Sequence, residues 1–113
     1  ILGYPALKAP DFQKELRTWI SGDNWELVPE YHFGGYGKIN PELIGFINDF
    51  KGKTGIPLDP VYTGKMLFGI LADLRQGRLG SGSRVLAIHT GGLQGIAGMN
   101  MQLKKKNLPL LHL

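Results

Sequence analysis

Apolar side chains recur at helical spacing in three stretches of the chain. The first stretch follows Pro10 and Asp11, a plausible helix start with Asp11 as the cap, and Gly22 ends it. Its apolar positions are Phe12, Leu16, Trp19 and Ile20. The second stretch opens more strongly, because Asn40 can cap a helix and Pro41 suits the first helical position. Its apolar stripe is Leu43, Ile44, Ile47 and Phe50, and Gly52 or Gly55 ends it.

Three short stretches are typical of β-strands. Residues 1–7 and 25–29 are β-compatible, and residues 84–88 are apolar on both faces, as in a central strand of a parallel sheet. Helices that alternate with short strands predict an α/β fold, with three layers and a parallel sheet flanked by helices. Because so few strands cannot form a stable sheet alone, we expect a fragment of a larger domain.

The densest group of reactive side chains lies between the second and third helical patterns. Asp59, Tyr62, Thr63 and Lys65 supply an acid, a phenol, a hydroxyl and an amine within seven residues. Thr63 can cap the third helix, which is expected to end before Gly77. Its apolar stripe is Met66, Leu67, Ile70, Leu71 and Leu74. Binding and catalytic groups concentrate in loops at the ends of rigid elements, so residues 56–66 are a candidate site.

A second candidate group, residues 89–92, follows the predicted strand at 84–88. The glycines from Gly91 to Gly95 do not form a dinucleotide fingerprint, because their first spacing is wrong and only 18 residues remain after them. A phosphate-binding loop would need a Gly-Lys-Ser/Thr sequence, which is absent. We expect residues 56–66 and 89–92 to form half of a cofactor site whose other half is not in this chain.

Several single residues have two interpretations. Lys65 lies in a first helical turn, where the helix dipole disfavours a cation, so it either pairs with Asp59 or solvent or faces an anionic ligand. Tyr36 and Tyr62 either pack or act as acid or base, which requires a lowered pKa or a strong base to take the proton. Thr63 and Thr90 are hydroxyls at the ends of predicted elements. If they have no functional role, Thr63 caps its helix and Thr90 forms a hydrogen bond within a turn.

His32 and His89 are expected to be structural, and their spacing suits no metal site. The seventeen glycines cluster in short loops, which indicates tight turns. The absence of cysteine excludes a disulfide framework and fits a reducing compartment, so we expect a cytoplasmic protein. No apolar run approaches the ~18 residues that span a bilayer, and the N-terminus lacks a signal-peptide layout. Ile1 is not an initiator methionine, which predicts a processed or truncated chain.

The formal net charge of +4 comes largely from three lysines at residues 104–106. This run is short and has no aromatic residues between the charges, so a solvated tail is favoured over a nucleic-acid site. We expect neither nucleic acid nor a membrane as a partner.

Three segments together resemble a known family: Leu-Asp-Pro-Val-Tyr-Thr-Gly-Lys at 58–65, Ser-Arg-Val-Leu at 83–86 and His-Thr-Gly-Gly at 89–92. They are similar to the D-cysteine desulfhydrases and 1-aminocyclopropane-1-carboxylate deaminases, pyridoxal-phosphate enzymes of the tryptophan-synthase-β fold type. The resemblance runs from about Tyr4 to Met99 and includes the loop around Tyr36. It implies that residues 1–99 are the C-terminal part of the cofactor-binding domain and residues 100–113 a C-terminal tail.

The resemblance also implies roles for single residues. Tyr36 and Tyr62 would border the substrate, with Tyr62 the candidate for acid–base work or attack. Thr63, Thr90 and Gly91 would bind the cofactor, with the two hydroxyls near its pyridine ring as neutral partners that tune its electron withdrawal. The cyclopropane deaminases carry Glu and Leu at the two threonine positions, whereas the desulfhydrases carry Ser or Thr. The implied reaction is α,β-elimination of D-cysteine to pyruvate, sulfide and ammonia, with 1-aminocyclopropane-1-carboxylate deamination as the alternative.

The family's Schiff-base lysine and phosphate-binding loop lie upstream of the matching segments. Lys8, Lys38 and Lys65 do not match that lysine, so we expect the chain alone to be inactive and to bind pyridoxal phosphate weakly or not at all. The expected partners are the remaining N-terminal part of the enzyme and a second copy in a homodimer. A rival interpretation is a non-catalytic α/β binding module in which Tyr36 and Tyr62 only pack.

Overall fold

The computed structural model describes residues 1–112 and contains two short strands, four α-helices and one 3₁₀ turn. In chain order these are β1 (Leu2–Gly3), α1 (Phe12–Arg17), β2 (Glu26–Leu27), the 3₁₀ turn (Pro29–Tyr31), α2 (Pro41–Thr54), α3 (Thr63–Arg75) and α4 (Gly95–Lys105). β1 and β2 pair in parallel, with Leu2 opposite Glu26 and Gly3 opposite Leu27. The α/β class with a parallel sheet is therefore confirmed.

Helix α2 begins and ends where its sequence predicts. The side chain of Asn40 accepts a hydrogen bond from the Leu43 N–H at 2.9 Å, and Pro41 occupies the first helical position. Gly55 ends the helix in the left-handed conformation at φ 75°, with its N–H donating to the Lys51 carbonyl. These residues determine where α2 begins and ends because they provide hydrogen-bond partners for backbone groups that are otherwise unpaired at the two ends of the helix.

The hydrophobic core lies between α2, the loop before α3, and α4. Its buried members are Leu43, Ile44, Ile47, Leu58, Ile96, Leu103 and Leu111. Each such side chain contributes about 1.5–3 kcal/mol when fully buried. At the crossing of α2 and α3, a Cβ on Gly64 would lie 2.7 Å from the Cδ1 atom of Ile47. Glycine therefore lets the first turn of α3 lie directly against the core.

Helix α1 is shorter than its sequence predicts. It ends at Arg17 rather than near Gly22, and within residues 1–112 it buries no side chain. Trp19 is 81% exposed and Ile20 is also exposed, and both lie beyond the end of the helix, so the predicted helical run is wrong at these positions. The hydroxyl of Thr18 bonds the Glu15 carbonyl at 2.6 Å, which satisfies a backbone group at the end of the helix. A helix of this length is stable only where its apolar side chains pack against another part of the protein, so apolar periodicity alone does not extend the helix to Gly22.

The predicted buried strand at residues 84–88 is wrong. These residues have no regular secondary structure, and Leu86 is 88% exposed, with Ile88 exposed as well. A strand needs a hydrogen-bonded neighbour, and between residues 1 and 112 no strand pairs with this stretch. The apolar side chains of residues 84–88 were therefore a misleading signal, because these residues are not buried within this chain.

Helix α4 is missed by the sequence pattern, which is weak beyond Gly98. The helix crosses the predicted boundary between residues 99 and 100, and Leu103 and Leu111 reach the core. The side chain of Asn100 both donates to the Leu111 carbonyl at 2.9 Å and accepts from the Leu111 N–H at 2.8 Å. The helical spacing of Ile96 and Leu103 was the one signal for this helix in the sequence. Gly95 and Gly98 obscured it because glycine disfavours helices. The domain boundary itself stays a prediction.

No helix in the described part of the chain combines the length and the apolar character that crossing a membrane requires.

Candidate active site

Asp59 is the residue that organises the start of helix α3. Its buried carboxylate accepts hydrogen bonds from three backbone N–H groups, those of Val61 and Tyr62 at 2.8 Å and that of Thr63 at 2.7 Å. A carboxylate at a helix N-terminus also interacts favourably with the helix dipole. Asp59 therefore caps the turn that leads into α3 and the first N–H of that helix, whose N-cap position is Tyr62. The expectation that Thr63 caps this helix is wrong.

Thr63 is the first residue of α3, and its hydroxyl bonds only to Asp59 among the residues described. It donates to the Asp59 carboxylate at 2.7 Å and accepts from the Asp59 N–H at 2.9 Å. The hydroxyl group has one proton and two lone pairs, so one lone pair is left for another partner. The side chain is buried, which makes Thr63 part of the rigid base of the site.

Tyr36 and Tyr62 form a pair at the surface. Their hydroxyl oxygens lie 3.0 Å apart, and their rings meet edge to face with centroids 6.0 Å apart. The hydrogen bond with Tyr36 raises the pKa of the Tyr62 phenol, and desolvation and the charge of Asp59 act in the same direction. Since a free phenol has a pKa of about 10, Tyr62 carries its proton at neutral pH. The pair can therefore donate protons, and it is not a preformed phenolate.

Lys65 is buried and differs from both expectations for it. Its Nζ atom donates to three backbone carbonyls, those of Ala6 at 3.3 Å, His32 at 2.8 Å and Gly35 at 2.9 Å. Burial lowers the pKa of Lys65, and the charge of Asp59 partly opposes this shift. Within residues 1–112 its amine forms no ion pair with Asp59, and only 1% of the residue is exposed to solvent. This amine is bound inside the protein and is not available to a ligand.

Residues 89–92 lie against the start of α3, as the sequence predicts. His89 contacts the Pro57 carbonyl through Nε2 at 2.9 Å and accepts from the Gly91 N–H through Nδ1 at 3.1 Å. Since Nδ1 accepts, the ring proton is on Nε2 and is donated to Pro57. A Cβ on Gly92, at φ 92°, would lie 2.9 Å from the Cγ atom of Asp59. His89 and Gly92 thus join the two segments.

The five predicted site residues have different surroundings. Tyr36, Tyr62 and Thr90 are exposed, Thr63 is buried, and Gly91 adopts φ 94° and is half-buried. The structure brings the two tyrosines together and places Thr63 one residue beyond Tyr62. Their roles in binding or catalysis stay predictions.

Two comparisons with known proteins agree on one family. A Pyrococcus furiosus protein, provisionally named a 1-aminocyclopropane-1-carboxylate deaminase, is 47% identical over 91 residues, which are 78% of this chain and 27% of that protein. The D-cysteine desulfhydrase of Yersinia enterocolitica is 36% identical over 100 residues, which are 85% of this chain and 30% of that enzyme. The crystal structure of a 1-aminocyclopropane-1-carboxylate deaminase homologue superposes with a TM-score of 0.80 and 32% identity, over 92% of this chain and 34% of the other. This chain belongs to the D-cysteine desulfhydrase and 1-aminocyclopropane-1-carboxylate deaminase family. No family model matches it.

The chain spans 20–27% of the length of the first three curated members of the desulfhydrase and deaminase family that it matches. Within this part of a family member, the sequence indicated the tyrosines but missed the importance of Asp59 and Gly92. For Asp59 a local signal existed, because an Asp followed by Pro just before a helical pattern is a capping sequence. The contact of Gly92 joins residues far apart in sequence and had no local signal.

Proposed function

We propose that this chain is part of a pyridoxal-phosphate-dependent lyase that converts D-cysteine to pyruvate, sulfide and ammonia. The observation that carries the proposal is the Tyr36–Tyr62 pair, in a chain of the desulfhydrase and deaminase family. Tyr62 lies in the segment whose Asp59 contacts Gly92. The choice of D-cysteine rests on the hydroxyls of Thr63 and Thr90, which the resemblance associates with desulfhydrases. We also propose a cytoplasmic enzyme whose remaining N-terminal part completes the site, and a homodimer, which is implied by the family resemblance alone.

The side chains present fit one end of pyridoxal phosphate, the end with the ring nitrogen. Thr90 is exposed and its hydroxyl can donate to an unprotonated pyridine nitrogen, whereas Thr63 gives its proton to Asp59 and can only lie beside the ring as an uncharged neighbour. Neither hydroxyl can hold that nitrogen protonated as a carboxylate would. When bound, pyridoxal phosphate withdraws electrons from the α-carbon of an amino acid and so makes the α-proton easier to remove.

The same side chains do not supply an amine or a phosphate site. Lys65 has all three of its ammonium donors bound to backbone carbonyls. We therefore propose that the Schiff-base lysine and the phosphate-binding residues belong to another part of the enzyme, and that residues 1–113 alone are inactive.

Tyr62 and Tyr36 are suited to protonating the leaving group. In the elimination the α-proton goes to a base that we propose lies in another part of the enzyme. The electron pair of that C–H bond forms the carbon–carbon double bond, and the carbon–sulfur bond breaks with its electron pair going to sulfur. The Tyr62 phenol can give its proton to that sulfur, and Tyr36 can replace the proton through the 3.0 Å contact between the two hydroxyls. The raised pKa of Tyr62 keeps the proton on the phenol at neutral pH but also makes it a weaker acid, so the transfer depends on the negative charge that develops on sulfur as the carbon–sulfur bond breaks.

The alternative substrate is 1-aminocyclopropane-1-carboxylate. The 47% identity to the Pyrococcus furiosus protein, which is named for that substrate, favours it. In that case Thr63 and Thr90 do not determine which amino acid is used.

The experiment compares the two substrates on the full-length enzyme by measuring sulfide, pyruvate and 2-oxobutyrate. Sulfide and pyruvate from D-cysteine, with no 2-oxobutyrate from the cyclopropane amino acid, are the expected result. 2-Oxobutyrate would overturn the choice of substrate, and no product from either would support a binding module. Tyr62→Phe should lower kcat at least tenfold. Trp19→Phe, a change at an exposed aromatic residue, is the matched control and should leave kcat unchanged.

A further inference from the structure

Lys65 is a buried cation without a role in the proposed chemistry. Three N–H donors are needed for its three carbonyl contacts, so Nζ is a fully bonded ammonium group. Burial of a charge is costly, and a methionine of similar shape would fill the same space without that cost. Packing alone therefore does not explain why a lysine stands here. What a lysine adds is the set of hydrogen bonds from its ammonium group to the three backbone carbonyls.

Two of those carbonyls, of His32 and Gly35, belong to the loop that carries Tyr36. This loop holds an uncommon backbone conformation, since Phe33, Gly34 and Gly35 all have positive φ, at 57°, 98° and 134°. Two hydrogen bonds lie within the loop, from the Gly35 N–H to the His32 carbonyl at 3.2 Å and from the Gly34 N–H to His32 Nδ1 at 2.9 Å, but neither joins the loop to α3. An ammonium group that binds both carbonyls fixes the loop immediately before Tyr36.

The other end of the link is the first turn of α3. Lys65 lies two residues after Thr63 and three after Tyr62, in a turn that the Asp59 carboxylate fixes by its hydrogen bonds. The two phenols are thus attached to one rigid turn, Tyr62 through the chain and Tyr36 through Gly35 and the Lys65 ammonium.

We propose that Lys65 is a positioning residue that holds the loop of residues 32–37 against α3, so that the Tyr36 phenol stays within hydrogen-bond distance of the Tyr62 phenol. This inference rests on the proposed function, in which that pair acts on the substrate. It assigns Lys65 no contact with substrate or cofactor.

The test uses Lys65→Met in the full-length protein near neutral pH, with tyrosine rings labelled for NMR and each signal assigned through its Tyr→Phe variant. The expected result is loss of the nuclear Overhauser effect between the Tyr36 and Tyr62 rings, and a Tyr62 Cζ shift equal to that in Tyr36→Phe. The Tyr4–Tyr31 ring pair, with centroids 6.3 Å apart, should keep its effect and so reports that the fold is intact. The exposed lysine variant Lys53→Met is the control and should change neither pair.

An unchanged Tyr36–Tyr62 signal in a folded Lys65→Met protein would overturn the inference. If that variant loses the Tyr4–Tyr31 signal as well, the wild-type protein decides through the ¹⁵N signal of the Lys65 side chain. A slowly exchanging ammonium with couplings across hydrogen bonds to the carbonyl carbons of His32 and Gly35 supports the inference, and rapid exchange without couplings overturns it. Because neither measurement requires turnover, its outcome is independent of the substrate test.

Discussion

The Cα of Gly92 lies so close to Asp59 that a Cβ at position 92 would be 2.9 Å from the Asp59 Cγ atom. This contact joins the turn at residues 89–92 to the carboxylate that caps α3. Glycine is needed at position 92 for two reasons: a Cβ would clash with Asp59, and the backbone adopts φ 92°, which residues with a side chain rarely do. Residues 56–66 and 89–92 are therefore joined by this close backbone approach and by the hydrogen bond from His89 to the Pro57 carbonyl.

Gly92→Ala is expected to destabilise the fold more than Gly91→Ala. Both glycines have positive φ, at 92° and 94°, so both substitutions incur a backbone cost of about 1–2 kcal/mol. Only position 92 adds a clash, because a Cβ on Gly91 meets no atom of the described residues within 4 Å. Urea denaturation of the two variants measures the difference. Equal losses would show that Asp59 moves aside freely.

Asp59→Ala is expected to lower the free energy of unfolding by about 2 kcal/mol or more, because one ordinary cap contributes about 1 kcal/mol and this carboxylate accepts several bonds. Asn40→Ala removes a single capping bond from α2 and is the matched comparison, with an expected loss of about 1 kcal/mol. Urea midpoints of both variants provide the measurement. A smaller loss for Asp59→Ala than for Asn40→Ala would contradict the assignment of Asp59 as the organising cap.

Gly69→Ala in α3 is expected to be destabilising by about 1–3 kcal/mol, the usual cost of overpacking. A Cβ there would lie 2.7 Å from ring atoms of both Tyr4 and Tyr31. Gly45→Ala in α2 is the control, since its Cβ would meet nothing within 4 Å in the described part of the protein. Alanine is a better helix former than glycine, so Gly45→Ala should stabilise the fold by up to about 1 kcal/mol. Melting temperatures that shift in the same direction for both variants would refute the packing argument.

Stability is expected to fall at alkaline pH because of two phenols that bind Asp73. Tyr31 donates to this buried carboxylate at 2.7 Å and Tyr4 at 3.1 Å. Burial raises the pKa of Tyr4 and the hydrogen bond to Asp73 raises the pKa of Tyr31. Below the unfolded pKa of about 10 both states keep these protons, and the contribution is complete. At higher pH the unfolded state loses its protons first, so the contribution is lost as the pH rises through the folded pKa values.

The measurement is the urea midpoint of the wild-type protein and of the Tyr4→Phe, Tyr31→Phe double variant, at several pH values on both sides of about 10. The wild-type midpoint should fall more steeply with pH than that of the double variant. Lysines titrate in the same range in both proteins, so the difference between the two slopes isolates the tyrosines. Identical slopes would exclude these hydrogen bonds as the cause.

The sequence predicted those parts of the fold that depend on neighbours along the chain. Asn40 and Gly55 bound α2 because caps act within one turn, and the α/β class followed from alternating patterns. Residues 84–88 were wrongly predicted as a buried strand, since apolarity does not say whether a partner strand is present. The Tyr36–Tyr62 pair was indicated only through family resemblance, because its members are 26 residues apart. Both interpretations of Lys65 were wrong, since the backbone carbonyls that bind its amine come from residues 30 to 59 positions away and leave no local pattern in the sequence.

The close approach of Gly64 to Ile47 limits how this site can diversify. Any side chain at position 64 would push the first turn of α3 off the core, and Tyr62 would move with it. Residues 59–65 thus pack directly on the hydrophobic core, so a substitution that moves this segment also disturbs the packing that stabilises the fold. If the proposed function holds, we expect new substrate preferences to arise instead at the exposed positions Tyr36 and Thr90, which lie outside the buried framework.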